Sequence, residues 1–94
     1  MSREDYVLRS HDDLLAPCRN EGFARCLGTS SSECEKRVNQ LVTDCSGKLP
    51  ATITEKNFDA SAGDYVSCIF AGLQKSFNKS SEEIGDCENR AGFR

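Results

Sequence analysis

Apolar positions recur at helical spacing along nearly the whole of this chain. In "DYVLRSHDDLLA", Tyr6 or Val7 falls with Leu8, Leu14 and Leu15 on one side of a short helix. Pro17 interrupts that helix or opens the next, because the first helical position tolerates a missing N–H. A second helix from Pro17 would carry Cys18, Phe23, Cys26 and Leu27 and end at Gly28. Gly22 weakens it by roughly 1 kcal/mol relative to Ala. Ser32 and Glu35 form a capping-box pair ahead of the cleanest stripe in the chain: Cys34, Val38, Leu41, Val42 and Cys45. Glu33 and Arg37 make an i,i+4 pair on another face, and Gly47 and Pro50 stop the helix.

"GKLPATITEKNFDASAG" reads as irregular, with a turn of helix after Thr54, and "ATIT" is its one strand-like alternation. A further helix from about Ser61 is expected to bury Ala62, Val66, Ile69, Phe70, Leu73 and Phe77, with Cys68 beside that stripe. "NKSS" ends it, and Ser80 with Glu83 forms a second capping box before a short helix bearing Ile84 and Cys87. The pattern predicts an all-α fold: a compact four- to five-helix bundle, with residues 1–94 as a single domain.

Composition adds covalent links to that picture. A chain of 94 residues buries only about 60–65% of the surface its unfolded form exposes, so its core is small. Hydrophobic residues are 37% of the chain and there is no Trp, yet there are six cysteines. An even count pairs without a leftover thiol, and each bridge in a small domain contributes roughly 2–4 kcal/mol. About three disulfides are therefore expected, together with an oxidising compartment: periplasm, cell exterior, secretory lumen or mitochondrial intermembrane space. "MSREDYVLRSHDD" is too charged for a signal peptide, so a signal was removed ahead of Met1 or export takes another route; the first is preferred.

A net charge of -3 is the reverse of a nucleic-acid binder's basic surplus, and no apolar run approaches the 18 or so residues of a membrane span. The cysteines do not read as metal ligands: zinc sites use close C-x(2–4)-C pairs, the nearest pair here is C-x7-C, and His11 is the one histidine. No C-x-x-C dithiol is present. Helix geometry suggests staples. Cys34 and Cys45 lie about 16 Å apart on one helix, and Cys18 and Cys26 about 12 Å apart on another. Folding the two into a hairpin at "GTSSS" predicts Cys26–Cys34 near the turn and Cys18–Cys45 at the open end. Cys68–Cys87 is then left for the last two helices. This is one of 15 connectivities. Chain entropy would make Cys18–Cys45, which closes the longer loop of the hairpin, more stabilising than Cys26–Cys34.

The stretch from Cys18 to Cys45 resembles the twin-cysteine coiled-coil-helix–coiled-coil-helix proteins of the mitochondrial intermembrane space. Those carry C-x9-C twice, where this chain has C-x7-C and C-x10-C. The resemblance implies a helical-hairpin assembly factor. In size, helical content, acidic balance and cysteine pairing the chain is also similar to small disulfide-bonded periplasmic proteins, among them immunity proteins that neutralise type VI secretion effectors.

Neither catalysis nor a cofactor is expected. Ser10, His11, Asp12 and Asp13 hold residue types used by hydrolases, but neighbours on a helix point in different directions and form no triad. Glu82 and Glu83 sit in a helix's first turn, where the macrodipole favours carboxylates. The preferred reading is a protein-binding module, such as an inhibitor or immunity protein for a secreted effector enzyme. Its candidate contact segments are the turn Gly28, Thr29, Ser30, Ser31, Ser32 and the loop from Lys48 through Thr54 and Lys56 to Asp59. A lesser alternative is an apolar-ligand carrier lined by Phe23, Val66, Phe70, Leu73 and Phe77. Asn78-Lys79-Ser80 is an N-glycosylation sequon, meaningful only in a eukaryotic secretory setting.

Overall fold

The first helix runs past the proline expected to end it. In the computed structural model, which describes residues 1–92, α1 spans Arg3–Arg19 with Pro17 in its last turn. The break falls at Asn20, whose backbone leaves the helix (φ -86°, ψ 113°) and whose side chain accepts a bond from the Phe23 N–H at 3.0 Å. Asn is among the strongest N-cap residues, and it starts a separate short helix, α2 (Glu21–Cys26). Cys18 therefore belongs to α1, not to the helix that carries Cys26.

Gly28, at φ +81°, closes α2 in the left-handed conformation, and the Thr29 N–H bonds back to the Ala24 carbonyl at 3.0 Å. The next cap is Ser30, whose hydroxyl accepts from the Glu33 N–H at 3.2 Å, so α3 spans Ser31–Cys45. The expected Ser32–Glu35 box is not formed; among three successive serines, the first to leave the Gly28 turn in extended conformation takes the role. A 3-10 turn (Ser46–Lys48) ends α3 at the predicted Gly47–Pro50 stop.

The irregular segment is anchored by two of its apolar residues. Leu49 and Ile53 are buried, and residues 51–53 pair with the N-terminus through Arg3 N–H to Ala51 O (3.1 Å) and Ile53 N–H to Met1 O (2.7 Å). The strand-like "ATIT" thus makes an isolated bridge between Ser2 and Thr52, and the described residues contain no strand. A turn through Glu55 to Asn57 leads into α4 (Phe58–Phe77), which starts three residues earlier than the apolar pattern suggested. Asn78, at φ 52°, ends it; then the predicted Ser80–Glu83 capping box opens α5 (Ser81–Ala91).

Three disulfides lock this all-α bundle, in a pairing different from the expected one. Cys18 joins Cys34, Cys26 joins Cys87, and Cys45 joins Cys68, at Cα separations of 5.3, 5.6 and 5.8 Å. Cys18–Cys45, Cys26–Cys34 and Cys68–Cys87 are not formed, because the break at Asn20 removes the long helical arm that would have carried both Cys18 and Cys26. The antiparallel pair is instead α1 with α3: Cys18 meets Cys34, and His11 meets Asn39 further along. α4 runs antiparallel to α3, with Cys68 at Cys45 and Gly72 against Leu41. A Cβ at Gly72 would collide with the Leu41 side chain, so glycine lets the two helices approach. α5 packs chiefly on α2, tied by Cys26–Cys87.

Two apolar faces sit differently from their predicted places. Leu15 is buried, and Tyr6, Val7 and Leu14 pack at its margin, but Leu8 is 75% exposed. On α4 the core stripe is rotated by about one residue. Ser61, Tyr65 and Ile69 are buried; Ala62, Phe70, Leu73 and Phe77 are half-buried; Val66 is 48% exposed. The small residues Ser61 and Gly72 face inward, and Tyr65 fills the space beside Tyr6 with ring centroids 5.8 Å apart.

Candidate interaction surfaces

Both contact segments expected from the sequence are held in defined turns. Ser31 and Ser32 belong to the first turn of α3, and Gly28 to Ser30 form its tight approach. Thr29 to Ser32 face Glu21 and Arg25 across an open depression of about 430 Å³, where Arg25 and Glu21 pair at 3.4 Å. In the second segment Lys48 lies in the 3-10 turn and Asp59 in the first turn of α4. Between them, Thr54 and Asn57 bond reciprocally: the Thr54 N–H donates to Asn57 Oδ1 at 2.8 Å, and the Asn57 N–H donates to Thr54 Oγ1 at 3.3 Å. Thr54 and Lys56 are exposed on this rigid corner, which the fold does not bring next to the Gly28–Ser32 turn as part of one described depression.

A third surface was not foreseen. Along the first half of α1, Val7 and Leu8 lie in an open groove of about 500 Å³ bounded by Arg3, Glu4, His11 and Ser46. The apolar stripe placed Leu8 in the core, but α1 meets its neighbours through Tyr6, Leu14, Leu15 and Cys18, and that face leaves Leu8 outward. Its neighbour His11 is half-buried between helices, with Nε2 2.6 Å from Asn39 Oδ1, a contact that no periodicity or motif signals.

The hydrolase-like residue types are drawn apart. The Ser10 hydroxyl donates back to the Tyr6 carbonyl at 2.9 Å, His11 turns to α3, and Asp12 pairs with Arg19 at 3.5 Å. Arg19 also donates to Glu35 at 3.1 Å, and that hydrogen bond, with the Asp12 and Glu35 charges, raises its pKa further. Glu83 is held below the usual carboxylate range, first by the bond it accepts from the Ser80 N–H. Burial pushes the Tyr65 phenol upward, with nearby Tyr6 adding to the push. The Tyr65 hydroxyl completes no hydrogen bond, although Ser10 lies close enough to oppose the push.

A fourth space opens among all five helices: a half-enclosed apolar cleft of about 180 Å³. Phe23, Val66, Phe70 and Leu73 line it, four of the five residues named for an apolar-ligand carrier; Phe77 does not. Among the described residues, no group of three or more His, Cys, Asp or Glu side chains could hold a metal ion, and no helix is long and apolar enough to cross a membrane. Comparison with protein-family models, curated proteins and solved structures gives no match.

Proposed function

We propose that this protein is a non-catalytic binding module of an oxidising compartment, acting as an inhibitor or immunity protein on a secreted effector enzyme in the periplasm or outside the cell. The observation that carries the reading is Leu8, a large apolar side chain 75% exposed in a groove rimmed by Arg3, Glu4 and His11. An apolar anchor inside a polar rim is the usual anatomy of a protein interface. The helix presenting it is clamped by Cys18–Cys34 at one end and by the residue 51–53 pairing at the other. A surface so held loses little conformational entropy on association. The dispersal of Ser10, His11 and Asp12 onto separate partners supports binding over hydrolysis.

Leu8→Asp tests the reading. The variant is expected to melt within a few degrees of the parent, since the side chain is exposed, and to lose the partner that the parent captures from periplasmic or secreted protein. Once that partner is purified, titration calorimetry should show at least about a hundredfold weaker binding to Leu8→Asp, the scale of one central interface anchor. Equal binding by the two proteins refutes the Leu8 surface as the contact.

A further inference from the structure

The three bridges differ in how far a reagent can reach them. Cys18 and Cys34 are 2% and 0% exposed, so that bridge is buried at both ends. The other two each join a half-buried cysteine, Cys26 or Cys68, to a buried one. Cys45–Cys68 differs from Cys26–Cys87 in its surroundings: both of its cysteines line an open depression of about 680 Å³ between α3 and α4, and Cys26 and Cys87 line none of the described depressions. Around Cys68 that wall is built from Ser67, Ala71 and Gly72, side chains too short to cover a sulfur. Lys48 and Lys75 balance Asp44 and Asp64 there, so the depression carries no net charge to turn an anionic thiolate away.

We infer that Cys45–Cys68 is a thiol–disulfide exchange site, opened by a dithiol reductant while the other two bridges stay closed. The reductant's thiolate attacks Cys68 Sγ, on the more exposed cysteine of the pair. The S–S bond breaks, its electron pair leaves on Cys45 Sγ, and that thiolate takes a proton from solvent. The reductant's second thiol gives up its proton and attacks the reductant's own sulfur in the mixed disulfide, and Cys68 departs as a thiolate and is protonated. Two electrons and two protons have then passed from the dithiol, now a disulfide, to the bridge, now two thiols. Oxidising compartments supply such partners, since disulfide isomerases there carry reduced dithiols. The bundle survives the opening: the span from Cys45 to Cys68 lies inside that from Cys26 to Cys87, and α1–α3 and α2–α5 keep their links. The site shares no lining residue with the Leu8 groove and stands or falls independently of the partner reading.

Dithiothreitol is the small dithiol that tests it, added to the native chain at neutral pH, with samples quenched by N-ethylmaleimide and the labelled cysteines located by mass spectrometry. Cys45 and Cys68 are expected to label together, at least about tenfold faster than Cys26 and Cys87, with Cys18 and Cys34 last. The singly opened form should keep its helical circular dichroism. First opening of Cys26–Cys87, or labelling of all three pairs in one phase, overturns the site. Ala71→Trp, at an exposed position one turn beyond Cys68, should cover the depression, slowing the opening of Cys45–Cys68 severalfold and leaving Cys26–Cys87 unchanged. An unaltered rate for Cys45–Cys68 overturns the depression as the route of attack. A second arm uses thioredoxin with its resolving cysteine replaced by Ser, which traps the mixed disulfide. The adduct is expected on Cys68; an adduct on Cys45 or Cys26 overturns the direction of attack. No adduct, with dithiothreitol still selective, supports the site and overturns a protein as its reductant.

Discussion

Tyr65 shows how a single residue can sit correctly in a core and still cost stability. Its ring is fully buried against Tyr6, but its hydroxyl completes no hydrogen bond. A buried polar group left unmade costs about 1–3 kcal/mol, so Tyr65→Phe is expected to melt at or above the parent's temperature. A clear loss would assign the hydroxyl a partner. The same burial raises the phenol's pKa above 10.0, which fixes the sign of a pH effect. The neutral form is the one the fold prefers, so its contribution is intact below pH 10 and fades as pH climbs through the folded value. Ultraviolet titration should show one of the two tyrosines ionising late and together with unfolding, a feature absent from Tyr65→Phe. The sequence pointed to Val66 rather than Tyr65 as the core residue. Counting apolar positions cannot weigh a ring that fills a gap against a valine one step away, nor register that Gly72 lets α3 approach.

At the scale of elements, caps decided what could be read. Ser80 with Glu83 was legible because, of the two serines in "NKSS", only Ser80 has a glutamate three residues on. Ser30 was not, since three consecutive serines offer the same chemistry and only the left-handed turn at Gly28 selects among them. Asn20 was masked by Pro17, the stronger local signal, although a proline in the last turn disturbs little that follows it. These assignments predict unequal alanine substitutions. Ser30→Ala and Asn20→Ala should each cost about 1 kcal/mol in denaturant melts, while Ser32→Ala, exposed in the first turn and capping nothing, should be nearly neutral. A reversed order for Ser30 and Ser32 would move the start of α3. The candidate contact segments fared similarly: both were recognisable as breaks between periodic stretches, but the Thr54–Asn57 bonds that stiffen one of them depend on a turn conformation no periodicity encodes.

For the whole molecule, the even cysteine count announced covalent closure and an oxidising environment, and all six cysteines are bridged. Which cysteine meets which depended on the α1 boundary. Moving Cys18 from α2 to α1 redirects it from Cys45 to Cys34, and the other partners change with it. The energetic ranking changes too. Cys26–Cys87 spans 61 residues, against 16 and 23 for the other two bridges. Chain entropy assigns roughly 4 kcal/mol to a loop of that length and about 3 to each shorter one. Replacing both Cys26 and Cys87 by Ser should therefore lower the urea midpoint further than replacing either other pair, in place of the Cys18–Cys45 dominance expected from the hairpin. A largest loss on removing Cys18 and Cys34 would show that native packing outweighs loop length.

The same three links have a consequence for the chain as a connected object. The span from Cys26 to Cys87 overlaps that from Cys18 to Cys34 and encloses that from Cys45 to Cys68. Every peptide bond between Cys18 and Cys87 is therefore bridged by at least one disulfide. A protease that cuts once anywhere in that stretch opens the backbone without releasing a fragment, and both new ends stay fastened to the bundle. In surroundings rich in proteases, losing a piece of that stretch would require a second cut or a reductant.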